Sequence, residues 1–275
     1  MPSVAVPRRA DLTDAQWAQL APLLPRVTKI GRPPKWTKRQ LIDGIRWRIR
    51  VGAPWRDVPD RYGPWQTVYG LFRRRQRDGV WAQVLTGLQT VADASGGIVW
   101  DVSVDSTIMR AHQHAAGARH HGNEQVEPPG GIETEPADHA LGRSRGGWTT
   151  KLHLACEQHR RPLALVLTAG QHGDRPQFAA VLDAIRVPRS GVGRARSRPD
   201  RVLADKAYSS RANRSYLRRR GIRATIAIPS DQLSHRRNRG SGGGRPPAFD
   251  RDLHRQRHAV EACQAQCTHN FALAA

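Results

Sequence analysis

The spacing of apolar residues changes near residue 97, and this change most constrains how the chain can fold. Before it, apolar residues recur every three or four positions, which is the period of an amphipathic helix. After it, segments such as residues 98–105 alternate between apolar and polar residues, as half-buried strands do. The sequence therefore predicts an all-α domain over residues 1–92, followed by an α/β domain with a mixed sheet over residues 97–275.

Two helix starts in the first domain carry the sequence signature of a capping box. Thr13 precedes Gln16 by three positions, and Thr37 precedes Gln40 in the same way. In this arrangement the threonine hydroxyl accepts from the glutamine backbone amide, while the glutamine side chain reaches back to the threonine amide. Gly52, with a proline two positions later, is expected to end the second of these helices.

A helix with a basic end is predicted to begin at Pro64, after a short helix over residues 55–61 and a turn at Gly63. An apolar stripe runs along this helix, and four arginines crowd its C-terminal end. The stripe is Trp65, Val68, Tyr69 and Phe72, and the arginines are Arg73, Arg74, Arg75 and Arg77. This succession is typical of a DNA-binding helix-turn-helix. The alternative is a helical bundle whose arginines only solvate one face.

The charge balance favours DNA. Lysine and arginine number 45 against 23 acidic residues, so the formal net charge is +22. An excess of this size indicates a polyanionic partner, first of all double-stranded DNA. No stretch approaches the roughly 18 apolar residues of a membrane span, and the N-terminus has no apolar signal-peptide core. Three cysteines are too few for a disulfide framework, so a cytoplasmic, nucleoid-associated protein is expected.

The second domain is predicted to interleave strands with helices. The expected strands cover residues 98–105, 150–155, 162–168, 201–205 and 222–228. The expected helices lie around residues 178–185, 210–220 and 261. Residues 115–147 are rich in glycine, proline and acids, which predicts a mobile insertion, and residues 235–249 predict a basic, glycine-rich loop.

Two aspartates end predicted strands of this domain, where open α/β sheets place their reactive groups. They are Asp105 and Asp205, and Glu261 lies on a helix that can pack beside them. Three carboxylates can hold one or two magnesium ions, which prefer hard oxygen ligands and promote phosphodiester chemistry. Residues 189–223 contain twelve lysines and arginines against two acids, which suits a DNA backbone nearby. Such spacing alone is weak evidence, because any chain of this length contains similar trios.

Several segments resemble a known family. They are residues 105–114 (DSTIMRAHQH), 141–147 (LGRSRGG) and 204–208 (ADKAY), together with the run of residues 31–75. They closely resemble the DDE transposases of bacterial insertion sequences, and in particular the insertion-sequence-five family. The resemblance covers about residues 10–261.

The resemblance implies an RNase H-like catalytic fold that uses Mg²⁺ or Mn²⁺. It also implies binding to terminal inverted repeats, DNA cleavage there and strand transfer into target DNA, by a homo-oligomer on paired ends. Carried over by position, the catalytic and metal-binding triad is Asp105, Asp205 and Glu261. Lys206 and Arg257 are candidates for contacts with DNA phosphates.

The match to the family degrades around Glu261. Where the family signature has tyrosine, arginine, glutamate and lysine, this chain has His254, Arg257, Glu261 and Thr268. Arg257 lies one helical turn before Glu261 and can pair with that carboxylate or with a phosphate. Beyond Cys263 the sequence no longer resembles the family, which predicts a truncated end and reduced or absent activity. The alternative function is therefore a catalytically inactive DNA-binding remnant, and a third is a metal-dependent nuclease without strand transfer.

Other chemistry-bearing residues are better explained without a second site. Four histidines over residues 112–121 have no partner cysteines nearby, which favours solvated or DNA-facing side chains. Cys263, Cys267 and His269 lack a fourth zinc ligand. Asp101, four residues before the first triad member, is expected at the surface rather than in the site.

Overall fold

A computed structural model of the chain describes residues 11–26, 34–111, 140–145 and 147–272, with side chains described up to residue 265. The chain divides into two compact units: the described residues of the first lie within 11–88 and 267–272, and those of the second within 89–266. The helix Val80–Ala94 begins in the first unit and ends in the second. The predicted insertion of residues 115–147 lies mostly outside the described residues. The predicted domain boundaries at residues 92 and 97 stay predictions.

The first unit is helical, as predicted. Its α-helices are α1 (Asp14–Leu20), α2 (Lys38–Val51), α3 (Trp65–Arg77) and α4 (Val80–Ala94), and short 3-10 helices lie at Ala21–Leu23, Trp55–Asp57 and Asp60–Tyr62. Both predicted capping boxes are present, at the starts of α1 and α2. Gly52 ends α2 in the left-handed conformation at φ +80°, where glycine carries no steric penalty.

Two local predictions in this unit are wrong. Residues 55–61 form two 3-10 helices rather than one α-helix, because Pro59 has no amide to donate to a continuous helical ladder. Pro64 is the capping residue of α3, which begins one residue later than predicted.

The core of the first unit forms where α2 meets α3. Ile42, Ile45 and Val68 are buried there together with Tyr62. Gly44 makes this close approach possible, because a Cβ at its position would lie 2.8 Å from the Cβ of Tyr62. The helices pack through an apolar stripe at helical spacing, as the sequence predicts.

The second unit is built on a mixed sheet. The strands are β1 (Asp101–Arg110), β2 (Gly142–Ser144), β3 (Gly147–Glu157), β4 (Pro162–Ala169), β5 (Arg201–Ala204) and β6 (Arg223–Ile226). β3 pairs antiparallel with β1, β2 and β4, whereas β5 runs parallel to both β1 and β6. β1 and β5 are therefore neighbours in the middle of the sheet; their pairing ends at Val104 and Ala204, and β1 continues beyond it to Arg110.

β1 begins at Asp101, later than the predicted residue 98. The amide of Val99 donates to Oε2 of the buried Glu157 at 3.2 Å, so it is not available to a neighbouring strand. β1 also continues to Arg110, past the alternating stretch that predicted it.

Helices cover both faces of the sheet. They are α5 (Asp174–Asp183), α6 (Arg211–Arg219), α7 (Ser230–Asn238), α8 (Arg251–Arg255) and α9 (His258–Ala272), with 3-10 helices at Lys206–Tyr208 and Gly240–Gly243. The prediction of a loop from residue 235 is wrong at its start, because α7 runs to Asn238. α7 contains one leucine among polar residues, so no apolar period marks it as a helix.

The two faces of the sheet have different partners. Val102 and Val104 of β1 belong to the main core, which also contains buried residues of α5 and α6. Asp105 alternates with them and points to the opposite face. α9 lies on that face, where the Sγ of Cys156 on β3 is 3.8 Å from the carbonyl oxygen of Ala259.

Candidate active site

Asp105 and Asp205 lie side by side at the edge of the sheet where β5 ends, although Asp105 does not end its strand as predicted, because β1 continues to Arg110. In the parallel register of β1 and β5, Val104 is opposite Ala204, and the two aspartates follow at the next position. Asp205 also begins the short 3-10 helix Lys206–Tyr208. The strand pairing therefore brings together two carboxylates from distant parts of the sequence.

Arg257 connects this edge to the glutamate helix. Its Nη1 lies 3.5 Å from Oδ2 of Asp105, and its Nη2 lies 2.8 Å from Oε1 of Glu261. The guanidinium therefore stands between the two carboxylates. Nδ1 of His258 contacts the other oxygen of Glu261 at 2.9 Å.

Burial and neighbouring charge act on these carboxylates in opposite directions. Burial raises the pKa of Asp105, the Ser106 amide and Arg257 lower it, and the nearby carboxylates of Asp205 and Glu261 raise it again. The pKa of Glu261 is lowered, first by its hydrogen bond with His258 and then by Arg257. The neighbouring carboxylates of Asp205 and Glu261 thus make the charged form of Asp105 less favourable.

The chemistry of the donor set fits a divalent cation. Mg²⁺ and Mn²⁺ take hard oxygen ligands, and Asp105 and Asp205 present two carboxylates at adjacent positions. Within the described residues, no group of three histidine, cysteine or acidic side chains is gathered closely enough to hold one ion. Glu261 stands apart because Arg257 occupies the space between it and Asp105.

Of the remaining predicted residues near the site, His254 contacts the end of β5 and Lys206 is exposed. Nε2 of His254 lies 3.2 Å from the carbonyl oxygen of Ala204, so this histidine contacts the end of β5. Lys206 is exposed immediately after Asp205. The side chain of Thr268 lies outside the described part of the chain.

The four arginines predicted to bind DNA lie in the last turns of α3. Arg74 and Arg77 are exposed, whereas Arg73 and Arg75 are half-buried. Nη1 of Arg73 donates to Gln76 at 2.8 Å, and Arg75 lies 3.9 Å from a carboxylate oxygen of Asp78. The two exposed guanidinium groups leave the end of this helix electropositive.

A buried polar cluster lies on the face of the sheet opposite Asp105. Nζ of Lys151 on β3 pairs with Oδ1 of Asp174 at 2.9 Å and donates to the carbonyl oxygen of His172 at 2.7 Å. Nε2 of His153 lies 2.9 Å from Oγ1 of Thr168 on β4. These contacts fasten the start of α5 to the strand that pairs with β1.

This cluster is not among the site residues predicted from the sequence. The available signal was a lysine and a histidine at alternate positions, 151 and 153, in the apolar stretch of β3 that ends at Cys156. Buried charged and polar groups need partners, so such a pair predicts a polar network beneath the strand. The identity of the partner, Asp174, depends on tertiary structure.

Residues that were not expected in a functional site include an ion-paired aspartate and two buried cysteines. Asp101 forms an ion pair with Arg201 at 3.5 Å across the β1–β5 pairing. Cys156 and Cys263 are both buried. The side chains of Cys267 and His269, and all of residues 112–121, lie outside the described part.

Two models of known protein families match the chain. Residues 12–85 match the family model described as "Putative transposase of IS4/5 family", and residues 100–271 match the model described as "Transposase DDE domain". The second match covers more than half of the chain. The second match defines a transposase domain of the DDE type. The chain belongs to the DDE transposase family.

Two curated relatives match part of the chain. "Uncharacterized protein y4sN" of Sinorhizobium fredii (strain NBRC 101917 / NGR234) is 40% identical over 39% of this chain and 82% of its own length. "Putative transposase for insertion sequence element IS402" of Burkholderia cepacia is 36% identical over 38% of this chain. That second match spans 45% of the relative's own length.

Solved structures of Mos1 transposase are distant neighbours. The Mos1 strand transfer complex covers 89% of this chain and 81% of its own, with 13% identity and a TM-score of 0.28. The Mos1 paired-end complex with the left transposon end also covers 89% of this chain and 82% of its own, with 13% identity and a TM-score of 0.26. At these scores the likeness carries no further argument.

In the part of the chain that the structure describes, every helix is too short or too polar to cross a membrane.

Proposed function

We propose that this transposase binds the terminal inverted repeats of an insertion sequence, cleaves the DNA there and transfers the freed strand into target DNA. The observation that carries the proposal is the adjacency of Asp105 and Asp205, directly after the last paired residues of the parallel strands β1 and β5. Reactive groups of open α/β sheets lie at this edge. The matched DDE domain spans this region of the chain.

Asp105, Asp205 and Glu261 are the proposed catalytic and metal-binding residues. A divalent cation, Mg²⁺ or Mn²⁺, held there would supply an activated attacking oxygen and neutralise charge at the phosphodiester. Asp105 and Asp205 provide the central oxygen ligands, and Glu261 completes the set from α9. Arg257 positions Glu261, whereas the exposed Lys206 is suited to contact phosphate oxygens.

Recognition of the DNA ends is assigned to the helical region of residues 1–92. Arg73, Arg74, Arg75 and Arg77 at the end of α3 are the proposed phosphate contacts. Support comes from two exposed guanidinium groups at this helix end and from the net charge of +22. Two transposon ends require two active sites, so a homo-oligomer is the expected assembly.

The function is tested with purified protein and the DNA that flanks its own gene. Cuts at repeat boundaries should appear with Mg²⁺ or Mn²⁺ and disappear in Asp205→Ala, while binding to the end DNA stays nearly unchanged. The matched control is Asp200→Ala, which removes an exposed aspartate from the other end of β5. Equal cleavage by Asp205→Ala and the wild-type chain would refute the assignment.

A second candidate function is a DNA-binding remnant without cleavage activity. The observation that favours it is the guanidinium of Arg257 between Asp105 and Glu261, which keeps the third carboxylate from the other two. In this case the protein would bind the element ends in the same assay without any metal-dependent cut. Cleavage without joined products would instead indicate a nuclease that lacks strand transfer.

A further inference from the structure

The segment between β6 and α8 encloses an open basic cavity. α7 and the glycine-rich 3-10 helix after it surround a volume of about 400 Å³. Its described lining residues are Gln232, His235, Arg236, Arg239 and Gly243. None of these lining residues is acidic.

The cavity is closed on one side by a specific contact. Nη1 of Arg236 donates to the carbonyl oxygens of Gly243 and Arg245 at 2.9 and 2.8 Å, and lies 3.4 Å from that of Gly244. A Cβ at Gly243 would lie 2.3 Å from the carbonyl oxygen of Arg236. Only glycine therefore allows the loop to approach α7 this closely.

Two of the described lining residues, Arg236 and Arg239, are cationic. Behind the cavity, the pKa of the Arg214 guanidinium on α6 is lowered first by burial and then by the charge of Arg236. Like charges repel, and a bound anion would reduce the repulsion. The lining is therefore suited to a negatively charged ligand.

Hydrogen bonds connect the cavity to the segment that follows Asp205. Nε2 of Gln232 donates to the carbonyl oxygen of Ser209 at 2.9 Å, and Oγ of Ser209 donates to Oε1 of Gln232 at 3.2 Å. Nη2 of Arg214 donates to the same Ser209 hydroxyl at 3.1 Å. Ser209 ends the short 3-10 helix that Asp205 begins, so α7 is fastened to one of the proposed catalytic strands.

We propose that this cavity binds a backbone phosphate of the DNA strand that lies across the Asp105–Asp205 edge, with Arg239 as the principal contact. Guanidinium groups match phosphate oxygens in geometry and charge, and the glycine-rich loop allows a backbone to approach closely. Arg236 shapes the cavity because its donors already serve the loop carbonyls. This inference rests on the proposed function, since it assumes that DNA reaches the catalytic edge.

The test compares two arginines that differ in position and not in charge. Arg237 and Arg239 are both exposed at the end of α7, but only Arg239 lines the cavity. Affinity for a labelled end duplex is measured by fluorescence anisotropy, in EDTA and at several salt concentrations. Arg239→Ala should weaken binding roughly tenfold, the effect of losing one charge-assisted hydrogen bond. It should also reduce the slope of log affinity against log salt by about 0.9, whereas Arg237→Ala should change neither quantity appreciably.

Two further measurements distinguish a phosphate site formed by the glycine-rich loop from attraction by the net positive charge alone. Gly243→Ala keeps every charge but prevents loop closure, so it should weaken binding as much as Arg239→Ala does. The two substitutions should weaken binding to a duplex of scrambled sequence by the same factor, because phosphates carry no sequence information. Equal effects of Arg237→Ala and Arg239→Ala, or unchanged binding by a folded Gly243→Ala variant, would overturn the proposal.

Metal-dependent cleavage by the wild-type chain is measured in parallel. If the wild-type chain cuts and the two arginine variants behave alike, the cavity proposal fails while the proposed function stands. If the wild-type chain does not cut but the arginine variants differ in affinity, the proposed function fails while the phosphate site stands.

Discussion

Arg257 sets the position of the Glu261 carboxylate relative to that of Asp105. Its side chain is mostly buried, and its two terminal nitrogens contact Asp105 and Glu261 separately. A planar guanidinium can bridge two carboxylates in this way, whereas a lysine ammonium acts as a point charge. With both ends engaged, the side chain is better suited to position Glu261 than to hold a phosphate.

Replacing Arg257 should separate these two roles. We expect Arg257→Gln to lower kcat for cleavage roughly a hundredfold, the scale seen when a reacting group is misplaced by about 1 Å. The KM for DNA should change little, because the guanidinium is occupied by carboxylates. The measurement is cleavage rate against DNA concentration. Arg255→Gln, which removes an exposed arginine paired with Asp252, is the control.

A raised KM with unchanged kcat in Arg257→Gln would contradict the positioning role and identify Arg257 as a phosphate contact. Arg257→Lys adds a second check, because it keeps the positive charge but cannot bridge two carboxylates. Its kcat should recover only in part.

His153 makes the stability of the second unit depend on pH. It is 1% exposed, and burial lowers its pKa to about 4, an effect that Lys151 and His172 reinforce and Asp174 opposes. In the unfolded chain the imidazole titrates near 6.5, so below that pH the unfolded state binds a proton that the folded state does not. Stability is therefore complete above about pH 6.5 and is lost as the pH falls toward 4.

Substitution of His153 should flatten this dependence. Between about pH 7 and pH 5 the histidine costs the wild-type chain about 2 kcal/mol of unfolding free energy. His153→Gln should remove that loss, since glutamine does not titrate and its amide can still reach Thr168. Urea unfolding of both chains at the two pH values measures it. The same loss in both chains would show that His153 does not govern the dependence.

At the scale of elements, two helical glycines offer opposite predictions for one chemical change. A Cβ at Gly44 would lie 2.8 Å from the Cβ of Tyr62, whereas a Cβ at Gly70 would have nothing within 4 Å. Gly44→Ala should destabilise the first unit by about 1–3 kcal/mol through overpacking, even though alanine favours a helix. Gly70→Ala should stabilise it by up to about 1 kcal/mol. Thermal unfolding of the two variants tests this, and a shift in the same direction for both would contradict it.

Elements with local signals could be predicted from the sequence. The starts of α1 and α2 follow from the Thr-x-x-Gln pattern, and the hairpin of β3 and β4 follows from apolar runs separated by polar residues. α7 could not be predicted, because it is polar on nearly every side and is held by Gln232 and Arg236 rather than by an apolar face. The start of β1 was misplaced because the buried Glu157 competes for the amide of Val99.

In the candidate site, too, residues with a local sequence signal could be predicted and tertiary contacts could not. Asp105 and Asp205 were found because each ends a predicted strand, and parallel pairing places such ends at one edge. The contact of Arg257 with Asp105 joins residues far apart in sequence, so only its pairing with Glu261 followed from helical spacing. The Lys151–Asp174 pair was missed because its partner lies on a separate element.

At the scale of the whole molecule, the proposed binding to DNA depends on net charge. A net charge of +22 supplies long-range attraction to any duplex, independent of sequence. Basic residues occur in both units, at the end of α3 and between β4 and α7. Binding through phosphates releases condensed counterions, so affinity must fall as salt rises.

The salt dependence of binding is therefore the broadest prediction. If about 6–10 phosphates are contacted, affinity for an end duplex should fall roughly 10³- to 10⁵-fold between about 50 and 200 mM salt. A duplex of unrelated sequence should give a slope similar in sign and size, because most of the contacts are to the backbone. The difference between the two duplexes at one salt concentration then measures end recognition alone. A nearly flat salt dependence would contradict phosphate binding and leave the charge of the chain without a role in DNA contact.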